Sequence, residues 1–396
     1  MAHQGSDRSD DIDEKGRQVI LNLTHDANMM YYNTLLNNTT THEANGSEDN
    51  VGESIEAYQF VFFGILGHVL TVFGLLGNTM SIVVLCNRRM RSSTSYYLIS
   101  LAVYDNLILL SMFFFFNLPA LAERIEALAV YKNNYMHALP VGYPLSLTAQ
   151  MGSIYTCVAF TVERFIAVCR PLHAANTCTK SRARKAILLI FLWSVVYNVP
   201  RCFHYSAERH VDNATGEAVA RLHETELGKT ETFQHVYIIY FQLFFMFLLP
   251  FLVILVLNAA LMRAINRSRN TRQRMSTSAT REHNLTVMLV AVILAFLVCQ
   301  FPTIVDNILV AIVGFEMHGS IFAFMVFYTI CTFMVTINAS LNFVLYCLFG
   351  KKFRLVLLHI LGLRAAKKEC HYRSTIYQSR TNGTRTTNCD MKVSLV

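Results

Sequence analysis

Long apolar stretches separated by short polar and basic segments dominate the pattern of the chain. A helix needs about 20 residues to cross the hydrocarbon core of a membrane. Seven stretches are long and apolar enough to do so, namely residues 58–86, 95–121, 138–169, 183–203, 232–262, 284–314 and 319–349. The pattern therefore predicts an all-α membrane protein, in which residues 58–349 form a bundle of seven transmembrane helices.

Three further segments flank this bundle. Residues 350–363 alternate basic and apolar positions at helical spacing, which predicts a short amphipathic helix on the inner membrane leaflet, in contact with lipid. Residues 1–57 are rich in Asn, Thr, Ser, Asp and Glu, and residues 364–396 are rich in Arg, Thr, Ser and Asn. Such compositions predict a disordered extracellular tail before the bundle and a disordered cytoplasmic tail after it.

Clusters of Lys and Arg predict the orientation of the chain. They lie in "CNRRMR", in residues 170–185 and 263–281, and in "GKKFR". Because cytoplasmic loops carry the excess of these residues, the N-terminus is expected outside, in a multi-pass protein of the plasma membrane. Sequons for glycosylation fall on the same outer side, at Asn22, Asn37, Asn38, Asn45 and Asn213.

Composition excludes several classes of function. With 53% hydrophobic and 15% charged residues, the chain is not one soluble domain. The net charge of +8 flanks membrane spans, so it does not indicate nucleic-acid binding. A membrane enzyme would show clustered metal ligands at membrane depth, and a transporter would show paired Gly- or Pro-broken helices. The sequence shows neither, so we expect no enzyme activity and no metal centre.

The placement of cysteines bears on the outer loops. Of the 10 cysteines, only Cys202 lies at or beyond the expected outer face of the membrane. One thiol cannot form a disulfide within the chain, so we expect no disulfide on the outer side.

His68 and His235, which can stay neutral, lie within the spans, and so do four acidic or basic side chains away from the span ends. These four are Asp105, Glu163, Arg164 and Asp306. A charge inside a membrane is costly unless it is paired, and it usually marks a functional site. Each of the four is therefore a candidate site residue.

Each span carries a short motif. In the order of the spans, these motifs are "GNTMSIVVL", "LAVYD", "ERF", Trp193, Pro250, "CQFP" and "NFVLY". Taken in this order, they resemble the class A, rhodopsin-like G-protein-coupled receptors. The longer runs "GSIYTCVAFTVERFIAVCRPL", "YNVPRCF" and "NASLNFVLYCLFGKKF" are similar to the invertebrate FMRFamide-type neuropeptide receptors.

The chain departs from the pattern of this class at three positions. Gln300 replaces the Trp before "FP", Phe343 replaces the Pro of the Asn-Pro-x-x-Tyr motif, and Leu139 stands at the usual cysteine atop the third span. The first two replacements recur in the FMRFamide-type group. The third leaves the usual disulfide of the class without one of its cysteines.

The resemblance implies a receptor for an extracellular amidated neuropeptide, FMRFamide-like, that activates a heterotrimeric G protein. A receptor for another small peptide or for an unidentified ligand remains open. A monoamine receptor would need a carboxylate at the position of Ser146, and an opsin would need a lysine at the position of Thr336.

By the same resemblance, a switch for G-protein coupling lies at the inner end of the bundle. Arg164 would pair with Glu163 and with Glu282, and this closed pair would block the inner cavity until it opens. Asn342 and Tyr346 belong to the same switch. The alternative is an interfacial charge pair with no switching role.

Two further sets of residues are implied within the bundle. Asp105 would hold a sodium ion among oxygen-bearing side chains, or would form a hydrogen-bonded cluster without an ion. The partners in either case are Asn78, Ser153, Asn338 and Asn342. A second set matches the packed trio that relays motion between ligand and G protein, although each member alone is ordinary core. These residues are Ile154, Pro250 and Phe296.

The ligand is expected in the outer third of the bundle. The side chains expected to face it are Gln150, Gln242, Gln300, Asp306, Asn307, Tyr328 and Thr332. Asp306 suits a peptide with an Arg-Phe-amide end, because its carboxylate pairs with the guanidinium while the Phe ring packs among aromatic residues. The alternative is that Asp306 is a structural cap.

Regulatory sites are expected after the bundle. Cys370 is either a palmitoylation site or a free cytosolic thiol. Ser and Thr residues beyond it, when phosphorylated, would create a site for arrestin-like partners. The final "VSLV" resembles a ligand of PDZ domains, which add a peptide strand and bind its carboxylate.

Overall fold

The structure is a computed structural model that describes residues 57–211, 218–271, 277–320 and 322–362. Within these ranges it contains seven helices long and apolar enough to cross a membrane. They correspond one by one to the predicted spans and confirm the predicted fold class. The helices are α1 (Ala57–Cys86), α2 (Ser93–Ala122), α3 (Leu139–Cys169), α4 (Lys180–Phe203), α5 (Thr232–Ala264), α6 (Thr277–Ser320) and α7 (Phe322–Phe349).

α3 is the central helix of the bundle, because it packs against α2, α4 and α5. Its residue Ile154 joins Phe296 of α6 in one buried apolar core. Large apolar side chains also cover the outside of the bundle, with Leu76, Leu189 and Val298 among the most exposed. Such a surface is expected of helices that are surrounded by lipid.

Short helical segments connect some of the membrane helices. Glu126–Leu128, Ala129–Asn134 and Tyr135–Ala138 lie in sequence between α2 and α3. Pro171–Thr177 forms a further short helix between α3 and α4. These segments shorten the connections and bring Tyr135 into the buried part of the structure.

Helix α8 (Lys351–Ile360) follows α7 and is the predicted amphipathic helix. Phe353, Val356 and Leu357 are buried against the bundle, at the spacing of one helix face. The Arg354 guanidinium donates a 2.7 Å hydrogen bond to the carbonyl of Cys347, near the end of α7, where carbonyls lack helical donors. This bond attaches α8 to α7.

An antiparallel hairpin fills the connection between α4 and α5, and the hydrophobic pattern did not predict it. Strand β1 (Tyr205–Val211) pairs with strand β2 (Ala218–Glu224). Ala220, Leu222 and Glu224 are buried, an alternation that is typical of a strand with one covered face. We call the end of the bundle that carries β1 and β2 the hairpin end, and the opposite end the α8 end.

Leu139, which stands where the resembling class has a cysteine, anchors the hairpin by apolar contact. Its side chain is 3% exposed and packs in one buried cluster with Met136, Ala220 and Leu222. Cys202 has a free thiol, as do the other cysteines of the described ranges. The hairpin is therefore held against α3 by burial of apolar surface.

We expect Leu139→Ala to destabilise the protein by about 2–5 kcal/mol, the usual cost of removing a buried leucine side chain. Cys202→Ala should change the melting temperature little, since it breaks no disulfide. Thermal unfolding of the detergent-solubilised protein measures both effects. A larger loss from Cys202→Ala, or a melting temperature that falls in mild reductant, would contradict this description of the loop.

The first part of α5 has a wide helical geometry. Residues Thr232–Leu248 follow the π-helical pattern, in which each N–H bonds to the carbonyl five residues earlier. The pattern still holds at Leu249, whose N–H bonds to the carbonyl of Phe244. In this pattern the next donor would come from Pro250, which has no N–H.

Tyr155 of α3 supplies the bond that Pro250 cannot make. The carbonyl five residues before Pro250 is that of Phe245, and it would lack a donor inside the membrane. The Tyr155 hydroxyl donates to this oxygen at 2.8 Å. Thus α3 stabilises the wide geometry of α5 at the point where it ends.

Tyr155→Phe should lower the stability of the bundle by about 1–3 kcal/mol, because it leaves the part-buried Phe245 carbonyl without a donor inside the membrane. Tyr104→Phe is the matched control. The Tyr104 side chain is buried, whereas that of Tyr155 is half-buried, and no hydrogen bond joins the Tyr104 hydroxyl to the described part of the chain. If both variants melt at the same temperature as the unmodified protein, the hydroxyl of Tyr155 does not support α5.

Helices α1 and α7 approach closely at Gly77. A β-carbon at this position would lie 2.9 Å from the β-carbon of Phe343, which is too short for packed carbon atoms. Across the same contact, the Asn78 side chain donates to the carbonyl of Ala339 at 2.8 Å. The phenylalanine that replaces the usual proline of α7 therefore fills space that glycine leaves on α1.

Candidate functional site

A cavity lies between α2, α3, α5, α6 and α7 in the half of the bundle at the hairpin end. Six of the seven residues predicted to face the ligand line it, namely Gln150, Gln242, Asp306, Asn307, Tyr328 and Thr332. Apolar and aromatic side chains form much of the remaining wall, among them Met112, Phe115, Phe116 and Tyr143. An apolar cleft with a few convergent polar groups is typical of a ligand site.

Gln300 does not line this cavity, contrary to the prediction. It lies one helical turn deeper along α6 than Thr303, the deepest α6 residue of the lining. Its side chain is 3% exposed, and its Oε1 atom has no hydrogen-bond partner among the described residues. The prediction placed Gln300 on the correct face of the helix, since residues three and seven apart share a face, but at the wrong depth.

Asp306 provides the negative charge of the cavity. Its side chain is 5% exposed, and it is the one carboxylate in the part of the lining that the structure describes. Glu123, another carboxylate at this end of the bundle, forms an ion pair with Lys132 outside the lining. A carboxylate among aromatic rings can bind a guanidinium while an apolar group of the same ligand fills the cleft.

A buried cation that the sequence analysis did not identify lies behind the cavity wall. Arg201, near the end of α4, is 3% exposed, and its guanidinium carbon lies 5.3 Å from the centroid of the Tyr237 ring. Its Nη2 atom donates to Oε1 of Gln242 at 2.8 Å. The available signal was an arginine beside an apolar span, on the side where the positive-inside rule expects few.

The bond from Arg201 fixes the direction of a chain of side-chain amides. A guanidinium has no acceptor, so the Gln242 atom that faces it must be the oxygen. Gln242 therefore directs Nε2 to Asn307 and donates to its Oδ1 atom at 2.8 Å. Asn307 in turn donates from Nδ2 to the carbonyl of Thr303 at 2.8 Å. This chain joins α4, α5 and α6 at the cavity wall.

Asp105 is fully buried in α2 and is held by two of its predicted partners. The Ser153 hydroxyl donates to one carboxylate oxygen at 3.1 Å, and Asn342 Nδ2 donates to the other at 2.6 Å. The two bonds join α2 to α3 and α7 at the centre of the bundle. They also offset part of the large free-energy cost of placing a carboxylate at membrane depth.

The other two predicted partners of Asp105 form no hydrogen bond with it in the described part of the chain. Asn78 donates to the backbone of α7, and its Oδ1 atom is buried without a hydrogen-bond partner among the described residues. Asn338 is half-buried and makes no hydrogen bond to Asp105. The unused oxygen of Asn78 is nevertheless of the type that ligates a small hard cation.

Glu163 and Arg164 form an ion pair at the α8 end of α3. Arg164 Nη2 lies 3.0 Å from Glu163 Oε1, and the side chains are 14% and 6% exposed. Ser93 and Thr94, at the start of α2, donate to the same oxygen at 3.1 and 3.0 Å. Arg164 also donates to the Thr94 hydroxyl. The pair is therefore closed and tied to α2.

A thiol also contacts this end of α3. Cys178 donates to the carbonyl of Glu163 at 3.7 Å. Burial raises the pKa of the Cys178 thiol, the Glu163 carboxylate raises it further, and Arg164 lowers it. Because the net shift is upward, the thiol stays protonated and keeps its donor role at neutral pH.

The remaining switch and relay residues are buried. Ile154, Pro250 and Phe296 all lie in the interior. Tyr346 is 0% exposed, its ring centroid lies 5.5 Å from that of Phe353 in α8, and its hydroxyl has no hydrogen-bond partner among the described residues. These placements leave their predicted roles untested.

Several predicted site residues lie outside the described residues. The backbone of Glu282 is helical, but its side chain is not described, so the second pair with Arg164 stays a prediction. The same holds for the glycosylation sequons and for the palmitoylation candidate. These residues are Asn22, Asn37, Asn38, Asn45, Asn213 and Cys370.

Comparison with known proteins gives a family and several relatives. The family described as "7 transmembrane receptor (rhodopsin family)" matches residues 77–346. The chain is similar to the FMRFamide receptor of Drosophila melanogaster, with 31% identity over 335 residues that cover 83% of this chain and 59% of that receptor. It thus spans less than two thirds of that relative.

Two other relatives are covered more fully. The FMRFamide peptide receptor frpr-18 of Caenorhabditis elegans is 28% identical over 338 residues, which cover 84% of this chain and 76% of the relative. Neuromedin-U receptor 1 of Mus musculus is 26% identical over 362 residues, which cover 84% and 81%. Each alignment covers more than three quarters of the relative's length.

Proposed function

Since the chain belongs to the rhodopsin family of seven-transmembrane receptors, we propose that it is a receptor for an extracellular amidated neuropeptide of the FMRFamide type, which activates a heterotrimeric G protein. The family consists of signalling receptors, so the chain is not an enzyme. Two relatives that are named FMRFamide receptors support the peptide class. Similarity to a neuromedin-U receptor keeps another small peptide as the alternative.

The placement of Asp306 is the observation that carries this proposal. A buried carboxylate in a cleft lined by aromatic rings suits a ligand that carries a cation beside an apolar ring. An Arg-Phe-amide end has both groups on adjacent residues. The guanidinium would pair with Asp306, and the phenyl ring would pack against the aromatic side chains of α2.

The ion pair of Arg164 supports a coupling switch at the α8 end. In the closed arrangement its guanidinium is held by Glu163 and Thr94. Ligand binding would favour an arrangement in which α6 moves outward, Arg164 leaves this pair, and the inner cavity admits the G protein. Pro250 and Pro302 break helical hydrogen bonds in α5 and α6 and provide places for this bending.

A sodium ion at Asp105 is part of the proposal. The Asp105 carboxylate, the Ser153 hydroxyl and the unused Oδ1 atom of Asn78 would hold it. The ion would supply a positive charge beside a carboxylate that has two hydrogen bonds among the described residues.

Membrane placement and regulation complete the proposal. The chain is a multi-pass membrane protein, and its basic segments favour a plasma-membrane orientation with the hairpin end outside. The glycosylated tail would then be extracellular. Phosphorylated Ser and Thr after α8 would bind an arrestin, and a PDZ protein is a further candidate partner of the cytoplasmic tail.

Calcium or cyclic-nucleotide assays in transfected cells test the function directly. A panel of amidated neuropeptides is applied at up to micromolar concentration, with mock-transfected cells as the control. We expect activation by at least one peptide that ends in Arg-Phe-amide. No response to any amidated peptide, at verified surface expression, would show that the peptide class is wrong, while the receptor family would stand on the sequence match.

A further inference from the structure

Gln242 and Arg201 occupy different depths of one wall. Gln242 is half-buried and lines the cavity, whereas Arg201 is 3% exposed and does not belong to the described lining. The two side chains are joined by the 2.8 Å bond between Arg201 Nη2 and Gln242 Oε1. The side chain of Gln242 therefore lies between a permanent positive charge and the ligand space.

We propose that Gln242 screens Arg201 from the cavity and thereby makes the site select a ligand with a neutral carboxamide over the same ligand with a carboxylate. Gln242 is the specificity-determining residue, and Arg201 is a positioning residue that holds its orientation. The proposal rests on the proposed function, since it concerns the end group of an amidated peptide.

The hydrogen-bonding capacity left on this wall suits a carboxamide. Gln242 and Asn307 each use one amide hydrogen in the chain that runs from Arg201 to Thr303. Each amide nitrogen keeps a second hydrogen, and each amide oxygen keeps a second lone pair. A primary carboxamide, which both donates and accepts, can use donors and acceptors of this wall together.

A carboxylate is disfavoured at the same place for two reasons. It offers acceptors only, so it cannot satisfy the amide oxygens of Gln242 and Asn307. It also carries a negative charge next to Asp306, which follows Thr303 by less than one helical turn and precedes Asn307 directly. Arg201, the cation beside Gln242, cannot compensate while the Gln242 side chain covers it.

Arg201 holds the Gln242 side chain in place, because a buried guanidinium needs hydrogen-bond acceptors around it. The guanidinium lies over the face of Tyr237 and donates to Gln242, and both contacts stabilise a cation that is buried away from water. The Nε atom of Arg201 has no hydrogen-bond partner among the described residues. A carboxylate that could reach the guanidinium would therefore gain a strong bond.

Gln242→Ser tests the screen because it shortens the side chain and uncovers the guanidinium. One peptide is compared in two forms, with a terminal carboxamide and with a free carboxylate, in the same signalling assay. The unmodified receptor should prefer the carboxamide by about tenfold or more, the effect expected for a few hydrogen bonds. In Gln242→Ser this preference should fall by about tenfold or more, because the carboxylate form gains potency through a charge-assisted bond to Arg201.

Two further variants separate selection from general damage to the cavity. Gln150→Ser shortens another glutamine of the lining, and it should weaken both peptide forms alike. The double variant Gln242→Ser with Arg201→Gln should lose the gain of the carboxylate form. Purely structural roles for Gln242 and Arg201 would produce no gain of potency in any variant.

The outcomes distinguish this inference from the proposed function. If the carboxamide peptide activates the unmodified receptor but Gln242→Ser leaves the preference unchanged, the screen is refuted and the peptide receptor stands. If the carboxylate form gains equally in Gln150→Ser, or keeps its gain when Arg201 is absent, Arg201 is not its partner and the inference fails. A receptor that responds to neither form overturns both proposals.

Discussion

Arg164→Ala should abolish ligand-dependent activation of the G protein, with a loss of about 100-fold or more in signalling, the effect of removing an arginine hot spot from an interface. Ligand binding at the cell surface should persist, because about 21 Å along α3 separates Arg164 from Gln150 and the substitution leaves the side chains of the cavity in place. Radioligand binding and a G-protein assay on the same cells measure the two effects.

Substitution of Glu163, the ion-pair partner of Arg164, should have the opposite effect on signalling. Glu163→Gln removes the negative charge from the closed pair, so the guanidinium is released more easily and signalling without ligand should rise severalfold. Thr94→Ala is the graded control, since it removes one hydroxyl that donates to Glu163 and accepts from Arg164. Its effect should have the same sign and be smaller. Basal signalling that is unchanged in Glu163→Gln at equal surface expression would contradict the switch.

Asp306→Asn should weaken an Arg-Phe-amide peptide by about 10-fold to 100-fold, the range expected when one charge-assisted hydrogen bond is lost. The same peptide with citrulline in place of arginine should already have lost this affinity on the unmodified receptor. It should lose little more on the Asp306→Asn variant, since the interaction is absent in both cases. This non-additivity is the signature of a direct contact.

Glu123→Gln is the matched control for Asp306→Asn. Glu123 is a carboxylate at the same end of the bundle, but it pairs with Lys132 and lies outside the described lining. Its replacement should change peptide affinity by less than about threefold, as for a partly exposed ion pair. If Asp306→Asn weakens the arginine and citrulline peptides by the same factor, Asp306 supports the cavity without touching the arginine.

The seven helices could be predicted because the membrane leaves few alternatives. A backbone in lipid must satisfy its own hydrogen bonds, so an apolar stretch of about 20 residues forms a helix. The basic and apolar alternation after "GKKFR" predicted α8 for a related reason. Six cavity residues were predicted as well, but from the resemblance of the motifs and not from the pattern itself.

The rest depended on contacts between segments that are distant in sequence. β1 and β2 have no long apolar run. Alternate side chains of β2 become buried only because the strand packs against Leu139, and the sequence pattern does not show this contact. The wide part of α5 depends on a hydroxyl from α3. Gln300 and Thr303 lie on the same face of α6 at different depths. The helical period of the sequence predicts the face but not the depth of the cavity. Arg201 was not identified as a site residue, because its burial arises from contacts with Gln242 and Tyr237, which are distant in sequence.

The close approach of α1 and α7 constrains how this sequence can change over evolution. Phe343 occupies the space beside Gly77, and a β-carbon on α1 would meet the β-carbon of Phe343 at 2.9 Å. Because every residue except glycine has a β-carbon, a larger residue at position 77 requires glycine at position 343 or a shift of α7, and such a shift would disturb the bond from Asn342 to Asp105. Position 77 is therefore held at glycine while any residue with a β-carbon stands at position 343, and this constraint does not depend on the phenylalanine ring.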